Sequence, residues 1–230
     1  MTTLVLLPGM DGTGKLFQPF VAQWADTCRI QVVSYPGDVC LAYSTLADFV
    51  CEVLPKDEDF FLLGESFSGP VAVLVASRRP LGLRGLILVC SFVQPPLLLS
   101  SWLKPLTRFM PAPSMVLPLL ARALMGKYGS AALRQALEHS LLSVQLNVMR
   151  ARAEAALTVN VSAELKSLTC PVLYLQAMND DVISDRSVAL VQAACPGLVH
   201  VQLNGPHFLL QTHAQAAAVA ISQFTLLHGG

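Results

Sequence analysis

The sequence predicts an α/β fold: a mostly parallel sheet covered by helices on both faces, with an inserted helical cap. Three observations predict it. Short, continuous apolar runs alternate with longer helical stretches through residues 3–91. Those runs lack the in–out alternation of a half-exposed sheet, so both faces are expected to be buried. The rhythm then stops for about 70 residues and resumes near residue 171. A length of 230 residues suits one domain with such an insertion.

The elements follow in order. Leu4–Leu7 is a buried strand stopped by Pro8-Gly9, and Lys15–Trp24 can form a helix. Ile30–Tyr35 is the next strand, stopped by Pro36-Gly37. Leu46–Leu54 is helical, with Leu46, Phe49, Val50 and Val53 on one face. Asp59–Leu63 is a strand ending at Gly64, and Phe67–Arg78 follows as an apolar helix. Leu86–Cys90 is the fourth strand. From Ser91 to Leu165 there is no convincing strand. Pro95, Pro96, Pro105, Pro111, Pro113 and Pro118 divide its first part into short helices, and Ala131–Leu157 reads as longer helix. A strand at Pro171–Gln176, a helix at Arg186–Ala194, a strand at Leu198–Leu203 and a helix at His213–Leu227 complete the chain. The core is therefore expected over residues 1–91 and 166–230, with the cap over 92–165.

Composition narrows the function. Hydrophobic residues make up 53% and charged residues 13%, with a mean hydropathy of +0.56. Either the core is unusually complete or apolar surface serves a greasy ligand. A net charge of zero gives no bulk field to draw in nucleic acid or a membrane. Residues 91–165 hold seven Lys/Arg and three Glu, a balance of +4, and the rest balances at −4. The six cysteines form no C-x-x-C pair, which argues against structural zinc, and Cys90 and Cys170 read as small buried hydrophobes. The start has no basic leader, and no apolar run reaches the ~18 residues of a spanning helix. A reducing cytoplasm is the expected location.

The sharpest motif is Phe60-Phe61-Leu62-Leu63-Gly64-Glu65-Ser66-Phe67-Ser68-Gly69. A strand runs into a serine and straight out into a helix, the setting of a nucleophile elbow. The usual form is G-x-S-x-G; here Ser68 takes the last small position and Gly69 follows. A serine needs a base. Of five histidines, His207 alone stands in a loop after the last strand, at the carboxyl edge of the sheet where such folds place ligands. An acid should orient that base. Asp180 and Asp181 both follow the strand ending at Gln176, and Asp180 is preferred. The order Ser, Asp, His is that of one hydrolase class. The backbone N–H groups of Phe67 and Met10, the latter in Leu7-Pro8-Gly9-Met10-Asp11-Gly12-Thr13-Gly14, would hold an oxyanion. Gly9–Lys15 also matches the start of a phosphate-binding loop, but Leu16 stands where a Mg²⁺-binding Ser/Thr is needed.

These residues resemble the α/β-hydrolase superfamily over roughly 3–91 and 166–225. The Asp180 turn is similar to that family's G-x-x-D-x-x-V-P, with Ala177, Ile183 and Ser184 at the departures, and this alignment favours Asp180. Gly205-Pro206-His207 is similar to its Gly-x-His segment. The loop carries Pro8 before Gly9 instead of the common His-Gly form. Compact size and a helical lid make the chain loosely similar to small carboxylesterases, including those that cleave the pimeloyl-carrier-protein methyl ester. The resemblance implies an α/β-hydrolase fold and a serine esterase with Ser66, Asp180 and His207 as triad, needing no cofactor or metal. A short- to medium-chain acyl ester is the expected substrate. A thioesterase or acyltransferase acting on acyl groups of an acyl carrier protein or coenzyme A is the alternative. A non-catalytic binding protein of the same fold and a P-loop nucleotide-binding protein are the rivals from other classes. Apolar cap residues, among them Leu97–Leu99, Trp102, Leu103, Phe109, Met110, Met115, Leu117, Leu119 and Leu120, are expected to pack against the core and in part to line an acyl pocket. The cap's Arg and Lys residues are expected to face outward.

Overall fold

Six strands form one sheet in the order β2-β1-β3-β4-β5-β6, and every neighbouring pair is parallel. They are β1 (Thr3–Leu7), β2 (Arg29–Val32), β3 (Phe60–Glu65), β4 (Leu83–Val89), β5 (Val172–Asn179) and β6 (Val199–Pro206). The computed structural model describes residues 3–24, 28–96, 107 and 111–229. Leu97–Leu99, Trp102, Leu103, Pro105, Phe109 and Met110 of the expected cap lie outside the described residues.

Parallel pairing requires crossover connections, and these put helices on both faces. One face packs α2 (Tyr43–Val53) and α3 (Gly69–Ser77) through Leu46, Val50, Val71 and Val75 against Val5, Leu62 and Leu86. The other face packs α1 (Gln18–Val21) and a C-terminal helix, Ala214–His228, through Phe20, Ile221 and Phe224 against Leu6, Phe61 and Ile87. Phe61 and Phe224 meet edge-on, with centroids 5.9 Å apart. The central strands β1 and β3 are buried at every position, as their unbroken apolar runs demand, and the outermost strands β2 and β6 are the exposed ones.

Between β4 and β5 the described chain is helical. It runs through α4 (Leu117–Met125), α5 (Ala131–Leu142), α6 (Leu146–Ala156) and the short α7 (Ser162–Lys166). The expected long helix over Ala131–Leu157 is two helices. They part at Ser143-Val144-Gln145, where the Gln145 N–H donates to the Gly37 carbonyl at 2.9 Å instead of continuing the turn. Ala121, Met125, Leu137, Leu141, Val148 and Met149 form a core of their own that meets the main body at Leu16 and Phe208. After β5 come α8 (Asp185–Ala194), α9 (Leu209–Thr212) and α10 (Ala214–His228).

The register places the functional edge. Leu7 lies beside Gly64, Glu65 beside Val89, Val89 beside Leu175, and Asn179 beside Pro206. The strands therefore end together, and the residues just beyond them share one rim. The chain leaves β1 toward β2 and leaves β3 toward β4, in opposite directions across the sheet. That reversal opens a crevice between the loops after β1 and β3, where open α/β sheets place ligands.

Candidate active site

Strand β3 runs into one 3-10 turn, Ser66–Ser68, and then into α3. Ser66 sits at the corner with a φ of 49°, in the left-handed region. Such a conformation costs a non-glycine residue about 1–3 kcal/mol and persists only where its surroundings impose it. The surroundings here are small. A Cβ on Gly64 would lie 2.6 Å from the Ser68 carbonyl and 2.8 Å from the Ala72 Cβ, and one on Gly69 would collide with the Ser91 hydroxyl. The Ser91 hydroxyl in turn donates to the Ser66 carbonyl at 2.6 Å.

Ser68 was expected inside the helix. It stands just before it, fully buried, with its hydroxyl engaged. It donates to the Pro8 carbonyl and accepts from the Tyr35 hydroxyl at 2.8 Å. A glycine there could not tie the corner to the loop after β1.

The structure brings Ser66, His207 and Asp180 together. Ser66 Oγ lies 2.9 Å from His207 Nε2, and His207 Nδ1 lies 2.8 and 3.0 Å from the two oxygens of Asp180. The side chains of His207 and Asp180 are 3% and 4% exposed. A carboxylate so buried needs further donors, and the N–H groups of Val182 and Ile183 each reach Asp180 Oδ1 at 2.8 Å. Asp181 is exposed. The remaining four histidines are elsewhere: His200 bonds Gln176 and Gln192, His213 meets Tyr128 edge-on, His228 packs against Phe224, and His139 is exposed.

Met10 and Phe67 flank Ser66 from the two loops. The Gly12 N–H donates to the Gly9 carbonyl at 3.0 Å, so that carbonyl points into the loop. Because the peptide is planar and trans, the Met10 N–H points the opposite way, out of the turn. Phe67 opens the turn after Ser66, where N–H groups lack intrahelical acceptors. The phosphate-loop alternative gains no support from this loop. Its Gly12, Thr13 and Lys15 amides bond Gly9, Asp11 and Thr13, and Asp11 adds a buried carboxylate that would repel phosphate.

A cavity of about 270 Å³ opens onto Ser66 and His207. Leu16, Val182 and Phe208 supply its apolar wall from the main body, and Leu120, Leu124, Leu137, Leu141 and Met149 supply it from the insertion. Met115 and Leu119, expected to pack inward, are 76% and 69% exposed. The polar end carries Asp11 and Glu65. Burial pushes the Glu65 carboxyl up to about 7, against a hydrogen bond from Gln211 Nε2 at 2.9 Å that lowers it. A wider, open groove of about 600 Å³ lies at the amino ends of β3 and β4, lined by Lys56–Asp59 and Leu81–Arg84. It holds no nucleophile–base pair.

Cys90, read as a small buried hydrophobe, is buried at the end of β4 with a φ of 47°. Its thiol lies beside Asp180 and His207, with the ligand-type atoms of all three within 4.8 Å of one another. Burial, then the Asp180 and Glu65 carboxylates, pushes the thiol well above its ordinary range, so it remains protonated. Among the described cations of the insertion, Arg152 departs from the expected outward placement. Arg122, Lys127 and Arg134 are exposed, but Arg152 is buried against the loop after β1. Glu65, Arg152, Tyr35 and Gln211 were not singled out in the sequence. Only Glu65 carried a signal, as a lone charge at the end of an apolar strand.

A model of the alpha/beta hydrolase family matches residues 4–221. Among solved structures, an esterase from Exiguobacterium antarcticum superposes with a TM-score of 0.85 at 16% identity, covering 97% of this chain and 91% of that one. A thermophilic esterase from Thermogutta terrifontis gives 0.82 at 17%, covering 99% and 90%. A bromoperoxidase from Bacillus anthracis gives 0.83 at 16%, covering 97% and 91%. At these identities the likeness speaks for the fold. A search of curated protein sequences gives no match.

Proposed function

The chain belongs to the alpha/beta hydrolase family, and from that premise we propose that it is a serine hydrolase cleaving a carboxylic ester of short- to medium-chain acyl length. The observation that carries this reading is the unbroken hydrogen-bond chain from Ser66 through His207 to Asp180. His207 takes the Ser66 proton as Oγ attacks the acyl carbonyl, and Asp180 holds the imidazole in the orientation and tautomer this needs. The N–H groups of Met10 and Phe67 bind the oxyanion of the tetrahedral intermediate. His207 then returns the proton to the leaving alcohol, and water resolves the acyl-enzyme by the same steps.

The cavity supports the acyl preference. Its 270 Å³ equals roughly nine water volumes at about 30 Å³ each, room for a short or medium chain. The insertion over 92–165 acts as the cap, since its described helices supply most of the apolar wall. The six cysteines are free thiols, which supports a reducing, cytoplasmic setting. Among the described residues no helix is long and apolar enough to cross a membrane. The exposed Arg122, Lys127 and Arg134 favour one second reading, a thioester presented by an anionic carrier.

The test is a fluorophosphonate probe followed by p-nitrophenyl esters of graded chain length. The wild-type protein should label at Ser66 and hydrolyse the esters. Ser66→Ala should do neither, losing about 10⁴–10⁶ in kcat. Labelling that persists in Ser66→Ala would refute the assignment.

A further inference from the structure

We infer that Arg152 is a positioning residue for the oxyanion loop: a cation from the insertion that fixes the Met10 amide from behind without touching substrate. The inference rests on the serine-hydrolase reading proposed above.

Arg152 lies on α6 and is 3% exposed. A buried guanidinium is costly unless its donors are satisfied. Its donors reach three backbone carbonyls: Met10 at 2.9 Å, Asp11 at 2.8 Å and Pro36 at 3.0 Å. The Asp11 carboxylate and the Tyr35 ring, 5.8 Å from its centre, complete the surroundings. These are charge-assisted bonds, stronger than those between neutral groups.

Two rigid peptide planes meet at Met10. The Gly12 N–H holds the Gly9 carbonyl, which fixes the plane carrying the Met10 N–H. Arg152 holds the Met10 carbonyl, which fixes the plane on the other side. With both planes pinned, the Met10 N–H has one direction. Gly12 contributes by what it lacks. It adopts a φ of 71°, and a Cβ there would collide with the Arg152 guanidinium. The loop is shaped around this cation.

Arg152 stands outside the cavity. Met149, three residues earlier on the same helix, lines it. Helix α6 thus presents an apolar side chain to the acyl pocket and a charged fork to the rear of the oxyanion loop. Lysine is a poor substitute, because a single ammonium on a flexible stem does not reproduce a planar fork.

The experiment compares Arg152→Ala and Arg152→Lys with the wild type, using p-nitrophenyl ester kinetics, affinity for an arylboronic acid and circular dichroism. The boronic acid forms a tetrahedral adduct at an activated serine and so reports on the oxyanion site. Arg152→Ala should lower kcat by about 10- to 100-fold, the scale set by small misplacements of reacting groups, with KM changed less than about threefold. Boronate affinity should fall by the same factor as kcat. Guanidinium chloride at low millimolar concentration should restore much of both in Arg152→Ala and nothing in the wild type. Arg152→Lys should fall between the two. Unchanged kcat in Arg152→Lys, a loss confined to KM, or a loss that follows the unfolded fraction and ignores guanidinium would overturn the inference. Failure of the underlying reading would look different, since the wild-type protein would then not label with fluorophosphonate at Ser66.

Discussion

Glu65→Gln should remove a pH-dependent weakness built into the fold. The Glu65 carboxyl is 6% exposed and is pushed up to about 7 from 4.5 by burial. A carboxyl whose folded pKa exceeds its unfolded one binds protons more tightly when folded. Its contribution to stability is therefore complete below about 4.5 and is lost as pH rises through about 7. With one pKa unit worth about 1.36 kcal/mol, integration between pH ~5 and pH ~8 gives a loss of about 2.5 kcal/mol. Glutamine mimics the protonated acid. Its amide oxygen can accept from Gln211 Nε2 as Glu65 does, and its amide N–H₂ can serve the buried Gln211 Oε1, which has no partner among the described residues. The assay is urea unfolding of both proteins at each pH. With an m-value near the upper end of the usual ~1–3 kcal/mol/M, the wild-type midpoint should fall by roughly 1 M more than the variant's. Equal pH dependence in the two proteins would refute the claim that a carboxyl ionises at the floor of this cavity.

Three further outcomes follow from the geometry. Asp180→Asn should cost up to about 10⁴ in kcat through a misoriented imidazole, and Asp181→Asn should change kcat less than about threefold, because Asp181 is exposed while Asp180 holds His207 Nδ1; steady-state kinetics decides. Filling the insertion's side of the cavity with Leu124→Trp should shift the preferred p-nitrophenyl ester to shorter acyl chains, and an unchanged chain-length profile would remove Leu124 from the acyl wall. Gly69→Ala forces a Cβ into the Ser91 hydroxyl and should destabilise by about 1–3 kcal/mol, as overpacked sites do, measured by urea unfolding.

The sheet was readable in the sequence because a strand buried on both faces leaves an unbroken apolar run, and β1, β3 and β4 each carry one. The rim residues were readable because the elbow and the loops after β5 and β6 break those runs with Ser66, Asp180 and His207. What could not be read was set by contacts between distant segments. Strand β2 was expected to reach Tyr35 but ends at Val32, because the Tyr35 N–H turns aside to the Gly12 carbonyl at 2.7 Å. The stretch Lys15–Trp24 breaks into 3-10, α and 3-10 pieces after Gly14, which takes a left-handed conformation. Arg152 gave no sign of burial, for it sits in Arg150-Ala151-Arg152-Ala153-Glu154, a stretch with the composition of a solvated helix face. The carbonyls of Met10, Asp11 and Pro36, more than 100 residues away in the chain, draw it inside.

The rim that unites Ser66 with His207 joins positions 141 residues apart. Synthesis runs from the amino end, and a growing chain emerges long before such distant pairings can close. A ribosome-held fragment that ends between the elbow and β6 contains Ser66 without His207. On the proposed serine-hydrolase reading, the hydroxyl becomes reactive only when the last strand docks beside β5 and carries His207 to the rim. On that reading unfinished chains are silent toward esters, and a chain clipped ahead of Val199 would keep β1 to β5 while losing His207.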